Sequence, residues 1–305
     1  MVRIVGPGGD EADANERLNW QMLMLRSIVA HDERVSVPEI ARPGSELLAD
    51  DDMTAPFHTS HLVHYALNVS SDALRTALAV LADGQDIRVP IIGLYPLLRT
   101  VIEGSALATW LVAPNEQLVR VKRTLEARLS DLSHDDKAVV VASTPALTDD
   151  AAERSAKQKM RRENSKRVRS EKGRILDHAA RLGVEIDERG MPGFGPILEA
   201  IAPVIGMSVG EVRGTWHYVS GLTHPSLSRA ISMASVEVKE NNGGGILTGM
   251  MSADLATVGL ALDAAMLGFK TALDVVAARG GQGNLTWTGD DLPPAPRFQR
   301  VWNDR

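Results

Sequence analysis

The stretch YPLLRTVIEGSALATWLVAP, Tyr95 to Pro114, decides how the rest of the chain reads. Between Pro96 and Pro114 apolar residues fall on almost every side of a helical wheel: Leu97, Leu98, Val101, Ile102, Ala106, Leu107, Ala108, Trp110, Leu111 and Val112. A helix that is apolar all round is one enclosed by others. It nevertheless carries Arg99 and Glu103, one turn apart on one face. Charges on an enclosed helix have to be paired, because desolvating an isolated one costs too much. The stretch predicts a central helix with an internal ionic pair, whose further partners lie elsewhere in the chain.

Composition agrees with a helical protein. Aromatic residues make up only 4% of the 305, while Ala, Leu and Val abound, a mix that suits helix packing better than a β-sandwich. The chain has no cysteine, which excludes disulfides, thiolate catalysis and Cys-ligated zinc. The acidic N-terminal sequence MVRIVGPGGDEADANER lacks the apolar segment of a secretory signal. Arg88, Arg99 and Glu103 interrupt the most apolar region, and Asp254 and Asp263 interrupt the next, so neither reads as membrane-spanning. The expectation is a soluble cytoplasmic protein with no membrane contact.

Outward from the central stretch, helical spacing recurs over Asp13–His31, about Ala55–Ala82 (with Leu62, Tyr65, Ala66, Val69 and Leu74 inward), and Glu116 to about Leu132. Pro38, Pro43, Gly44 and the acidic run Asp50–Asp52 read as an irregular connection, and Gly84 as a stop. AVVVASTPALTDD is ambiguous between helix and link, and Thr148–Ala151 has the form of a capped start. Further helices are expected over Pro196–Ile205, from an N-cap at Ser208, and over Ser252–Ala278, closed by Gly280 and Gly281. Residues 226–240 read as helix or extended, and Asn241–Gly245 as a loop. The fold class is therefore all-α, an antiparallel helical bundle built on the Arg99, Arg213 and Ser252 helices. Residues 1–12 form a flexible tail and 13–279 one bundle domain. Residues 280–305 form an extended C-terminal tail, with Trp287 and Trp302 as anchors.

Two groups of residues could carry chemistry. On the Ser208 helix, Arg213, His217, Ser220 and His224 fall in a stripe about 60° wide, beside an apolar stripe of Val212, Trp216 and Val219. His224 coupled to Glu103, with Arg99 balancing charge, would be an acid–base site; the alternative is a polar network that fixes helix register. Ser220 lacks the elbow motif of a serine hydrolase. The second group is the most charged segment, Glu153–Arg174, with ten bases and three acids. It carries +7, leaving −13 for the remainder of a chain whose net charge is −6. Arg161, Arg162, Lys166, Arg167 and Arg169 are its core, expected to project and grip RNA or an acidic protein partner. His58, His61 and His64 form an incomplete ligand set and read as ordinary helix histidines. GPGG and NNGGG read as turns, so no metal and no cofactor is expected.

The pairing of YPLLRTVIEGSALATWLVAP and the Arg120–Arg123 segment with the later WHYVSGLTHPS resembles a group of uncharacterised bacterial, mainly actinobacterial, helical proteins. These are distantly similar to HEPN-like helical bundles, many of which are ribonucleases or nucleotide-binding modules of defence and toxin–antitoxin systems. The resemblance covers Tyr95–Arg128 and Gly206–Ser226. It implies a HEPN-like core with Arg99, Glu103, Tyr218, Ser220 and His224 facing inward, and by analogy a homodimer. The HEPN nuclease spacing from Arg to His is not met from Arg213 to either His217 or His224. The leading expectation is thus a non-catalytic binding module, and the alternative a metal-independent ribonuclease or nucleotide-binding protein.

Overall fold

The computed structural model describes residues 11–35, 40–83, 86–224, 226–241 and 247–283. Those residues are predominantly helical, and the all-α expectation holds. The central stretch is a helix, α4 (Tyr95–Val112), with Pro96 in its first turn, where a missing N–H costs nothing. Five others surround it: α3 (Thr59–Leu81), α5 (Gln117–Ala142), α7 (Phe194–Ile205), α8 (Val209–Leu222) and α10 (Leu255–Arg279). One apolar core joins their inner faces, with Leu98, Val101, Leu111, Val258, Met266 and Phe269 excluded from solvent. Where α4 crosses α3, a Cβ on Gly104 would lie 2.8 Å from the Ala66 carbonyl oxygen, so only glycine permits the approach.

Around this centre lie α1 (Glu11–Val35), which packs on α10 and α3, and α2 (Glu46–Thr54), which packs on α3 and α5. Helix α6 (Ala151–Arg181) packs chiefly on α5. A smaller apolar cluster of Phe57, Val121, Leu125, Leu129, Ile175 and Ala179 fixes the C-terminal half of α6, while its first half stands away from the core. Asp150 caps α6 and Ser208 caps α8, each reciprocated by the glutamate three residues on, as a capping box requires. The left-handed Gly206 ends α7, which tolerates Pro203 inside its last turn. Two short ladders supplement the helices: β1 (Ala82–Asp83) with β2 (Asp86–Ile87), and β3 (Ala234–Asn241) with β4 (Leu247–Ala253), both antiparallel.

Several local expectations are corrected. The Asp50–Asp52 run is not irregular; it lies in α2, started by Ser45, whose hydroxyl accepts from the Leu48 amide. Helix α3 begins at Thr59, and its Tyr65 points outward, 70% exposed, because Leu62, Val63, Ala66 and Leu67 occupy the inner face. AVVVASTPALTDD splits, its first half extending α5 to Ala142. Residues 226–240 take both expected states, a short helix α9 (Leu227–Met233) and then β3. Gly84, most of the Asn241–Gly245 loop, residues 1–10, and 284–305 with Trp287 and Trp302 lie outside the described residues. The expected tail boundaries, at 12/13 and 279/280, fall among the described residues: α1 already begins at Glu11, and α10 ends at Arg279.

The deepest charge is elsewhere than the sequence suggested. Arg120, on α5, is the largest fully buried side chain among the described residues, 2% exposed. Its guanidinium donates through Nε and Nη2 to both oxygens of Asp50, at 2.6 and 2.9 Å, and through Nη1 to the carbonyls of Pro114 and Asn115. Arg279, at the end of α10, donates to the Val112, Ala113 and Pro114 carbonyls and pairs with Glu46 at 2.6 Å. Arg123 donates to the Trp110 carbonyl and covers the Trp110 ring. Removing one partner of such a pair strands a buried charge. Asp50→Ala is expected to lower unfolding free energy by about 3–5 kcal/mol, and Asp50→Ala with Arg120→Met by less. Urea titration reads both, and a single-variant loss no larger than that of an exposed salt bridge would refute the assignment.

Candidate functional site

Helix α8 turns Val212, Val219 and Leu222 into the core, which fixes how its other faces are directed. Trp216 lies between the inward and outward sides, and its Nε1–H donates to Glu103 Oε1 at 2.9 Å. The same oxygen accepts from Arg99 Nε at 2.8 Å, and Arg99 Nη1 donates to Thr223 Oγ1 at 3.2 Å. Thr223 in turn donates to the Ser220 carbonyl. Arg99 and Glu103 are thus paired and joined to α8, as the sequence required, but they are half-buried, with side chains 30% and 19% exposed. Partial contact with water lowers the desolvation cost that a fully enclosed pair would carry.

The outward stripe of α8 does not complete this cluster. His224 is exposed and bonds to neither Glu103 nor Arg99, so the expected His224–Glu103 couple is not formed. His217 is also exposed, its ring 4.8 Å from that of Trp216. Arg213 pairs with Glu199 of α7 at 3.2 Å, near the surface. Ser220 is half-buried and contributes its carbonyl. The reason is elementary: with the apolar stripe of α8 turned inward, the polar stripe beside it is carried outward, and Glu103 is met by Trp216 on the boundary rather than by a histidine. The cluster binds α4 to α8; it brings no imidazole to a carboxylate.

Tyr218 is inward-facing, its ring edge-on to Tyr95 at 5.9 Å. Its buried hydroxyl lies near Thr257 and Tyr95 without closing a well-aligned hydrogen bond. Burial pushes both phenols above their ordinary range, and for Tyr95 the neighbouring Tyr218 adds to it.

The basic segment is laid out differently. Arg161, Arg162, Lys166, Arg167 and Arg169 are all exposed on α6. Arg167 donates to Asn164 Oδ1, and Asn164, buried on the inner side, donates to Asp136 of α5 at 2.7 Å. Arg161, Arg162, Lys166 and Arg169 have no ion pair among the described residues. Lys159 approaches Glu163 only at 3.9 Å, both side chains mostly in solvent. At about 100° per residue, Lys159, Arg162, Lys166 and Arg169 occupy one row about 80° wide, directed away from Ile175 and Ala179. That geometry presents four cations in line to solvent.

His58 and His61 lie with rings 4.9 Å apart, and His64 contacts Asn68. No group of three or more His, Asp or Glu among the described residues could hold a metal ion, and no helix among them is long and apolar enough to cross a membrane. The residues missed from sequence are Asp50 and Arg120. Their separation of 70 positions leaves no local spacing to detect. Comparison with family models, curated proteins and solved structures found no match to the chain.

Two measurements test this placement. His224→Ala is expected to change unfolding free energy by less than about 0.5 kcal/mol, as for other exposed sites. Trp216→Phe, which deletes the donor to Glu103, is expected to cost about 1 kcal/mol; the reverse order in chemical denaturation would restore His224 to the cluster. Secondly, the folded state holds the Tyr95 and Tyr218 protons more tightly than the unfolded chain. Stability is therefore retained below pH about 10 and falls as pH rises beyond it. Tyr218→Phe is expected to flatten that alkaline loss in denaturation curves recorded as a function of pH.

Proposed function

We propose that this chain is a non-catalytic helical binding module that holds the phosphate backbone of nucleic acid, RNA included, on the outer face of α6. The observation that carries the reading is the row Lys159, Arg162, Lys166 and Arg169, of which the last three lack an ion pair among the described residues. Guanidinium and ammonium groups in line neutralise phosphates, and the release of condensed counterions supplies the affinity. An acidic protein is the less favoured partner. Protein interfaces centre on buried aromatic or large apolar residues, and the row carries none; Ser155, Ser170 and Gly173 lie beside its cations.

Such binding is independent of base sequence, since phosphate contacts position a nucleic acid without reading it. A HEPN-like ribonuclease draws no support from the geometry, because the partners of Glu103 are Arg99 and Trp216 and not His224. For about four phosphate contacts, affinity for a labelled RNA is expected to fall on the order of 50- to 150-fold between 50 and 200 mM salt. Replacing Lys159, Arg162, Lys166 and Arg169 by glutamine should flatten that dependence and leave the melting temperature unchanged. Fluorescence anisotropy reads the affinity. Equal binding by wild type and the fourfold variant would remove the reading, and tighter capture of polyglutamate than of RNA would move it to an acidic protein.

A further inference from the structure

The cations of α6 are not confined to its outer row. At about 100° per residue, Arg154, Arg161 and Lys172 line one flank of the helix and Arg167, Arg174 and Arg181 line the other. Each flank lies about 80–120° from the middle of the outer row. A helix of 31 residues at 1.5 Å per residue is about 46 Å long, so the three rows run straight. From this arrangement we infer that the nucleic acid α6 takes is a duplex, its two phosphate backbones lying on either side of the helix in a groove. The inference rests on the reading of α6 as a phosphate-binding face.

Two observations separate duplex from single strand. A flexible strand offers one line of phosphates and is held in large part by stacking its bases on aromatic side chains. Residues 151–181 contain no Phe, Tyr or Trp. Their one imidazole, His178, is engaged at Nε2 with the Met53 carbonyl and lies edge-on to Phe57. A duplex groove, by contrast, is bordered by two lines of phosphates. The B-form major groove is about 12 Å wide, matching a helix with its side chains, about 10–12 Å across. The A-form minor groove is wide and shallow. Flank cations would then reach one strand each, adding to the phosphate contacts of the outer row.

The flanks are only partly committed within the chain. Arg161 has no ion pair among the described residues, and Arg167 is bonded to an uncharged amide. Arg174 pairs with Glu171 and Lys172 with Glu188, exposed contacts that exchange readily for phosphate. Arg154 donates to the Asp149 carbonyl and Arg181 to His178 Nδ1. The carboxylate of Glu163 lies on the second flank beside Lys159, and its repulsion reduces the affinity without selecting between strand states.

The test uses the full chain in anisotropy competition against three unlabelled nucleic acids of equal length and mixed sequence: duplex DNA, duplex RNA and the corresponding single strand. One or both duplexes are expected to compete roughly ten- to hundredfold better than the single strand, because the flank cations add contacts and steepen the salt dependence. Preference for duplex DNA identifies a major-groove seat, and preference for duplex RNA a minor-groove one. The flank variant Arg161→Gln with Arg167→Gln is expected to reduce the preference for duplex. Equal competition, or a tighter single strand, overturns the inference and leaves the phosphate-binding reading standing. If none of the three competes, the reading beneath it fails as well.

Discussion

The C-terminal end of α4 is the constraint from which much of the structure follows. A helix leaves its last four carbonyls without internal partners, and α4 ends among other helices. Two arginines meet that need, Arg123 at Trp110 and Arg279 at Val112 and Ala113, and a third, Arg120, holds the connection that follows at Pro114 and Asn115. Positive groups at this end also suit the helix dipole. Arg120 is enclosed in doing so and requires Asp50, which in turn requires α2 to be helical and placed against α5. Glu46 then stands between Arg279 and Arg120, at 2.6 and 3.4 Å. Burying one apolar helix thereby dictates the positions of the helices before and after it.

What could be read in the sequence and what could not divide along a physical line. Periodicity reports burial, so α4, α10 and the inner residues of α8 were legible, as were the caps at Asp150 and Ser208, which are local hydrogen-bond patterns. The Arg99–Glu103 pair was legible because its spacing is one helical turn. The Asp50–Arg120 pair was not, since neither residue carries any mark of the other. Three consecutive aspartates also disguised α2, where the side chain of Asp50 is enclosed and that of Asp52 is in water. The wheel placed the polar stripe of α8 correctly on one face and left open which face would turn toward α4. That was decided by the Val212–Val219 stripe, and with it the fate of His224.

The charge distribution carries the functional argument. A strongly basic segment in an otherwise acidic chain is held by one partner helix and a small apolar cluster at its far half. Its short ion pairs lie near the two ends, at Asp149–Lys157 and from Glu171 onward, and in the middle Lys159 approaches Glu163 only at 3.9 Å. The half-buried Arg99–Glu103 cluster is better understood as a joint between α4 and α8 than as a reactive centre. The two groups singled out from sequence therefore differ: one is half-buried and paired between two helices, and the other faces solvent with most of its cations lacking an ion pair among the described residues.

The capping of α4 by Arg279 spans up to 167 positions of chain. Contacts so distant make loop closure slow and postpone the reward for it. During synthesis the Val112 and Ala113 carbonyls leave the ribosome without Arg279 and stay so until α10 has emerged. The order of translation thus opposes early burial of this helix, and the completed core belongs to the finished chain.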